Sequence, residues 1–242
     1  MKKQRFSIAL LSRLRLAAGL FLILALLAPG IGPAGAQAGE NWAAVAEPAA
    51  PEVDLQSGEM ADWWGTVQEE IRRMEYNVTW QEQTYLADIP AAYQSPNRAS
   101  NLRIYYTAQG LAVIPRVWAG DGEIPPWRWG LSVEGMGEAA MLVRENCVEF
   151  TRQGMVEQVC NSEDWLGQVF SLLQAPPDTA GSVRLALRFS GDVTARLAQD
   201  GTALEFVDAR GNLALRYGPF QAKDAVGNRA PAHLELEEAS LV

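Results

Sequence analysis

The sequence predicts a mostly β protein: two antiparallel β-sandwich-like modules, with one N-terminal amphipathic helix packed on the first. Three observations predict it. From Tyr76 onward, apolar residues recur with a period of two. Turn signals containing Gly, Asn and Asp punctuate these runs at the short spacing of sandwiches and barrels. A helical apolar stripe stands out at Glu59 to Met74.

The chain opens with Lys2, Lys3, Arg5, Arg13 and Arg15, then an unbroken apolar run from Leu16 to Ala28 that ends at Pro29. That run is too short for a helix crossing about 30 Å of hydrocarbon, which takes roughly 20 residues. Two overlapping A-x-A sites follow, Ala34-Gly35-Ala36 and Ala36-Gln37-Ala38. Residues 1–38 therefore read as a secretory signal peptide that stands outside the fold. The protein is expected to be exported, to the extracellular space or the cell surface, with no membrane span once the signal is removed. Losing those five positive charges takes the formal net charge from −9 to −14. Such an acidic chain repels phosphate backbones, which argues against a nucleic-acid partner.

Residues 39–58 are rich in Ala, Pro and Glu and read as a disordered leader. The first module spans residues 59–175. In its helix Met60, Trp63, Trp64, Val67, Ile71 and Met74 fall three or four apart, opposite Glu69, Glu70, Arg72 and Arg73, with Ser57 as N-cap. The sheet that follows is the expected partner of the stripe. Tyr76, Val78 and Trp80 alternate next. A polar loop from Tyr93 to Ser100 leads into a strand, Leu102 to Thr107, which turns at Ala108-Gln109-Gly110 and returns along Leu111 to Val117. After the Ile124-Pro125-Pro126 loop, Trp127, Trp129, Leu131 and Val133 alternate.

Cys147 to Cys160 reads CVEFTRQGMVEQVC. A two-residue turn at Gln153-Gly154 pairs Arg152 with Met155, Phe150 with Glu157, Val148 with Val159, and Cys147 with Cys160. The cysteines land on a non-hydrogen-bonded pair with Cα atoms about 4.5 Å apart, within the range of a disulfide. The other reading is two reduced cysteines in a core.

Trp165 to Leu173 is a further strand, and Gln174 to Asp178 marks a module boundary. The second module, residues 178–242, alternates Val183, Leu185, Leu187 and Phe189 with polar positions. Strands at Val193–Leu197, Leu204–Val207, Leu213–Tyr217 and Leu234–Leu236 follow, separated by turns. This module reads either as truncated at its C-terminus or as a stand-alone copy, with an edge open for strand addition.

The stretches DWWGTVQEEIRRMEYNVTW, YQSPNRASNLRIYYTAQGLAVIPR and GTALEFVDARGNLALRYGPFQAKDAVGNRAPAHLEL resemble the N-terminal domain of exported bacterial proteins with SBBP or FG-GAP (integrin-α-like) β-propeller repeats. The resemblance rests on Glu75-Tyr76, on Tyr93 to Ala99, on Leu102 to Tyr106, and on Leu215 to Gly218 with Asp224 to Gly227. It spans about Asp62 to Leu236. It implies a module that leads or caps a repeat array, with protein partners among surface or repeat domains. It brings no catalytic residues, and the chain shows no repeats; the two cysteines are outside the family's pattern.

Tyr93, Asn97, Arg98, Asn101 and Arg103 form the most polar cluster, either a recognition loop or a loop pinned by its own hydrogen bonds. Trp118 is the candidate exposed aromatic among eight tryptophans, and a carbohydrate-binding module using exposed Trp and Tyr is the alternative function. His233 is the only histidine, and no G-x-S-x-G elbow accompanies it. Asp121, Asp192, Asp200 and Asp208 sit at turns, where Asp is favoured without calcium. Asn77-Val78-Thr79 matches a glycosylation sequon inside a strand, in a chain whose signal looks bacterial. Glu69-Glu70 on a solvated helix face makes a poor acid–base pair. A non-catalytic module with no metal and no cofactor is the expectation.

Overall fold

Two antiparallel sheets face each other across one apolar core. The structure, a computed structural model, describes residues 4–11, 20–27, 59–118, 124–173, 182–224 and 226–237. In chain order come β1 (Gln4–Leu11), β2 (Leu20–Leu27), α1 (Glu59–Met74), β3 (Thr79–Gln81), β4 (Ala92–Asn97), β5 (Leu102–Thr107), β6 (Gly110–Pro115), β7 (Trp129–Val133) and β8 (Ala140–Arg144). Then follow β9 (Cys147–Arg152), β10 (Met155–Asn161), β11 (Leu166–Leu172), β12 (Ser182–Gly191), β13 (Thr194–Leu197), β14 (Leu204–Val207), β15 (Leu213–Lys223), β16 (Arg229–Ala230) and β17 (Ala232–Glu237). The first sheet runs β17-β1-β12-β7-β6-β5-β4-β3. The second runs β13-β14-β15-β2-β11-β10-β9-β8, with β16 on β15.

The fold is mostly β, antiparallel and sandwich-like, with one helix among the described residues. Alternation explains it: Ile104, Tyr106, Trp129, Leu131, Leu187 and Phe189 of the first sheet meet Val148, Phe150, Val159, Phe170, Phe206 and Tyr217 of the second. At the centre Trp129 packs 5.5 Å from Phe206 and 5.8 Å from Phe189 and Tyr217, centroid to centroid. Such tilted and edge-on pairs add to what area burial alone contributes.

Residues 178–242 do not build a sheet of their own. β12 pairs with β7 in the first sheet, while β13 to β15 join the second. The physical reason is burial: each short amphipathic strand needs an opposing apolar face, and here the opposing face comes from the other stretch of chain.

Three further expectations are corrected. Residues 1–38 do not stand wholly outside the fold, because β1 pairs with β12 and β17, and β2 with β11 and β15. An apolar, Pro-free segment such as LFLILALL satisfies the open backbone edges of two strands at once. The polar stretch Tyr93–Ser100 is half strand: β4 pairs with β5 from Tyr93↔Tyr106 to Asn97↔Leu102. Pro96 is tolerated because β3 pairs only as far as Gln94, so the missing N–H lies beyond that partner.

The helix forms where expected but does not pack on the sheet. Trp63 is 59% exposed, Ile71 51% and Met74 55%. The outer face of the first sheet is already covered, since Tyr105, Ala112 and Ile114 lie under Leu86, Ile89 and Trp118. Among the described residues, the contacts that moor the helix lie just past its C-terminal end. There Arg98 reaches Glu75 at 2.6 Å, and the Val78 amide donates to the Glu145 carbonyl.

Candidate functional site

Two features set this sandwich apart from an inert scaffold: an uncovered apolar helix stripe and a moored polar corner beside it. The stripe comprises Trp63, Trp64, Val67, Ile71 and Met74, with the Trp63 and Trp64 rings 6.1 Å apart. Its polar face is internally neutralised, Arg72 pairing with Glu69 and Arg73 with Glu70. Both are i,i+3 pairs, of modest worth at such exposure. Glu69 and Glu70 are thereby engaged in ion pairs.

The polar corner is where the sequence placed a recognition loop. Asn97 is fully buried; its side chain donates to Asn161 Oδ1 and to the Ser162 carbonyl, both at 2.9 Å, and accepts from the Ser100 amide. Asn161, also buried, donates to the Tyr76 carbonyl at 3.0 Å and to the Pro96 carbonyl at 2.9 Å. Its own carbonyl accepts from the Asn146 side chain at 2.6 Å. Asn101 sits in the left-handed region (φ 51°), which Asn tolerates, and its side chain brackets Val117, accepting from the amide and donating to the carbonyl. Arg103 lies over the Tyr85 ring and donates to Gln94. Tyr93 packs edge-on against Trp80. Asn97 and Asn101 thus pin backbone, Arg98 moors the helix end, and Tyr93 and Arg103 contribute to packing.

Trp118 is half-buried against Tyr85, 5.4 Å away. Trp129 is wholly buried and Trp127 half-buried, whereas Trp63, Trp64, Trp80 and Trp165 are exposed. Asp200 and Asp208 close their own turns, Asp200 accepting from Thr202 and Asp208 from Arg210 and Asn212. Asp121 lies outside the described residues, as does the His233 side chain. No helix among the described residues is long and apolar enough to cross a membrane.

Sequence reasoning missed one cluster. Arg152 and Glu157 lie in the core, 2.6 Å apart, their side chains 0% and 3% exposed. Gln168 donates to Glu157, and the Tyr217 hydroxyl donates to Gln168 at 2.6 Å. Burial pushes the Glu157 carboxyl above its usual range, against the opposing pull of Arg152. Burial, helped by the Glu157 charge, also pushes the Tyr217 phenol well up. A signal was available: hairpin parity puts Arg152 on the face of Val148 and Phe150, and Glu157 opposite Phe150.

The disulfide joins Cys147 and Cys160 in the register derived from the turn, with Cα atoms 4.1 Å apart. Set beside family models, curated proteins and solved structures, the chain matches none of them.

Proposed function

We propose that this chain is a non-catalytic docking module of an exported or cell-surface protein, binding another folded domain through the apolar face of α1. A module that leads or caps a repeat-type surface protein, as the SBBP/FG-GAP resemblance implies, has this requirement. The carrying observation is the exposed stripe of Trp63, Trp64, Ile71 and Met74, with Val67 half-buried between them. Amphipathic helices gain their stability chiefly from packing that face. The occupant is protein rather than lipid on charge grounds. Interfacial membrane helices carry Lys- and Arg-rich polar faces, whereas here Arg72 and Arg73 are paired with Glu69 and Glu70 in a chain of net charge −9. The disulfide and the basic, apolar leader support export.

The test is site-specific photo-crosslinking on producing cells, with the crosslinker at Trp64, at Ile71 or, as control, at Glu69. Expected are adducts with one protein from positions 64 and 71 and none from 69. Equal labelling from all three positions, or adducts with lipid alone, overturns the reading.

A second reading, glycan binding, draws on exposed Trp80 beside Tyr93, ring centroids 5.1 Å apart. Saturable tryptophan quenching by soluble oligosaccharides, lost in Trp80→Ala and kept in Ile71→Glu, would favour it.

A further inference from the structure

β2 occupies an unusual place for a leader segment. It lies inside the second sheet, antiparallel to β11 at Leu166↔Leu26 through Leu172↔Leu20 and to β15 at Arg216↔Leu27 through Lys223↔Phe21. Without Leu20–Leu27, β11 and β15 lie two strand spacings apart, about 10 Å. Each would then present an edge of N–H and C=O groups in mid-sheet, too far from the other to pair.

The walls of this slot read alternate residues. Leu26, Leu24 and Leu22 hold the register positions opposite Leu166, Gln168 and Phe170 of β11, each no more than 1% exposed. On β15 the same three positions face Tyr217, Phe220 and Ala222. The two walls are also tied to each other independently of β2. The Tyr217 hydroxyl on β15 donates to Gln168 Oε1 on β11 at 2.6 Å, and Gln168 in turn donates to Glu157, which also accepts from Arg152. That rung links the two walls by side chains as well as through the β2 backbone.

We propose that the slot between β11 and β15 is a strand-acceptor site. In the exported form, an apolar β-strand of another polypeptide takes the place of Leu20–Leu27 by antiparallel strand addition. The guest is an uncharged, Pro-free segment of about six residues with bulky aliphatic side chains at alternate positions, the pattern the walls read. This deepens the docking reading and rests on its export step, but not on the helix face.

The experiment uses protein exported from cells carrying the full gene. Its intact mass comes first. A chain that keeps residues 1–38 overturns the proposal, since the slot is then filled from within, and leaves helix-face docking standing. For a chain starting near Gly39, the probe is a synthetic peptide carrying residues 20–27, with lysine tags for solubility. Two further versions are N-methylated at alternate residues, which removes ladder donors while keeping the apolar side chains. Expected are one-to-one binding of the parent peptide, slowed amide exchange in both β11 and β15, and at least tenfold weaker binding of an N-methylated version. Absence of parent binding overturns the proposal, as does equal binding of all three peptides. Photo-crosslinking from Trp64 on the same material reports on the docking reading separately.

Discussion

The Asn97 side chain donates to Asn161 Oδ1 at 2.9 Å, joining β4 of one sheet to β10 of the other across 64 residues of sequence. Asn161 passes the connection on to Tyr76, the residue that follows the helix by two, and to Pro96. One buried amide thereby moors the helix exit, the β4 end and the β9–β10 hairpin. Asn161→Ala leaves the Tyr76 and Pro96 carbonyls and the Asn97 amide short of partners. At about 1–3 kcal/mol for a strongly unsatisfied buried group, partly relieved by water, the expected loss is about 2–4 kcal/mol in urea unfolding. A loss under about 0.5 kcal/mol, the scale of an ordinary surface change, would remove Asn161 from this role.

The Cys147–Cys160 bridge closes a short loop within an already paired hairpin. Chain entropy assigns a loop of this length about 3 kcal/mol. Cys147→Ala/Cys160→Ala should lower the unfolding free energy by up to about that amount while keeping the hairpin, because Val148 and Val159 still pair in the core. Amide exchange in β9 and β10 of the double variant checks both halves of the statement.

Removing one partner of the buried Arg152–Glu157 pair leaves a charge without compensation. Glu157→Ala is expected to cost about 3–5 kcal/mol, whereas Arg152→Met/Glu157→Leu, which replaces both by apolar groups, should cost far less. Urea unfolding of the two single variants and the double variant gives the coupling. Additive losses would contradict the pairing.

Asp200 yields a pH signature. The Thr202 backbone amide first, then the Thr202 side chain and the charge of Arg216, hold its carboxyl below the ordinary 3.8. A depressed acid contributes stability that is present above its unfolded value and lost as the pH falls through the depressed one. Asp200→Asn should therefore melt earlier than the parent near pH 7. The gap in Tm should close as the pH falls below 3.8 and through the depressed value. A gap that is constant with pH would assign the effect to turn geometry instead of charge.

The sequence by itself determined what period-two alternation and turn chemistry encode locally. Strand positions such as Val183–Phe189, the helix at Glu59–Met74 and the Cys147–Cys160 register are properties of a short window, set by side-chain parity and by a Gly that accepts positive φ. Only the tertiary structure decided what each apolar face meets. The α1 stripe looks no different in sequence whether a sheet covers it or not, and here Leu86, Ile89 and Trp118 cover the candidate face instead. Likewise Arg152 and Glu157 read as ordinary strand polars until the second sheet closes over them. The pairing of β12 with β7, and of β2 between β11 and β15, joins segments far apart in sequence. Such contacts follow from burial of whole faces and satisfaction of whole edges, which no local window of residues contains.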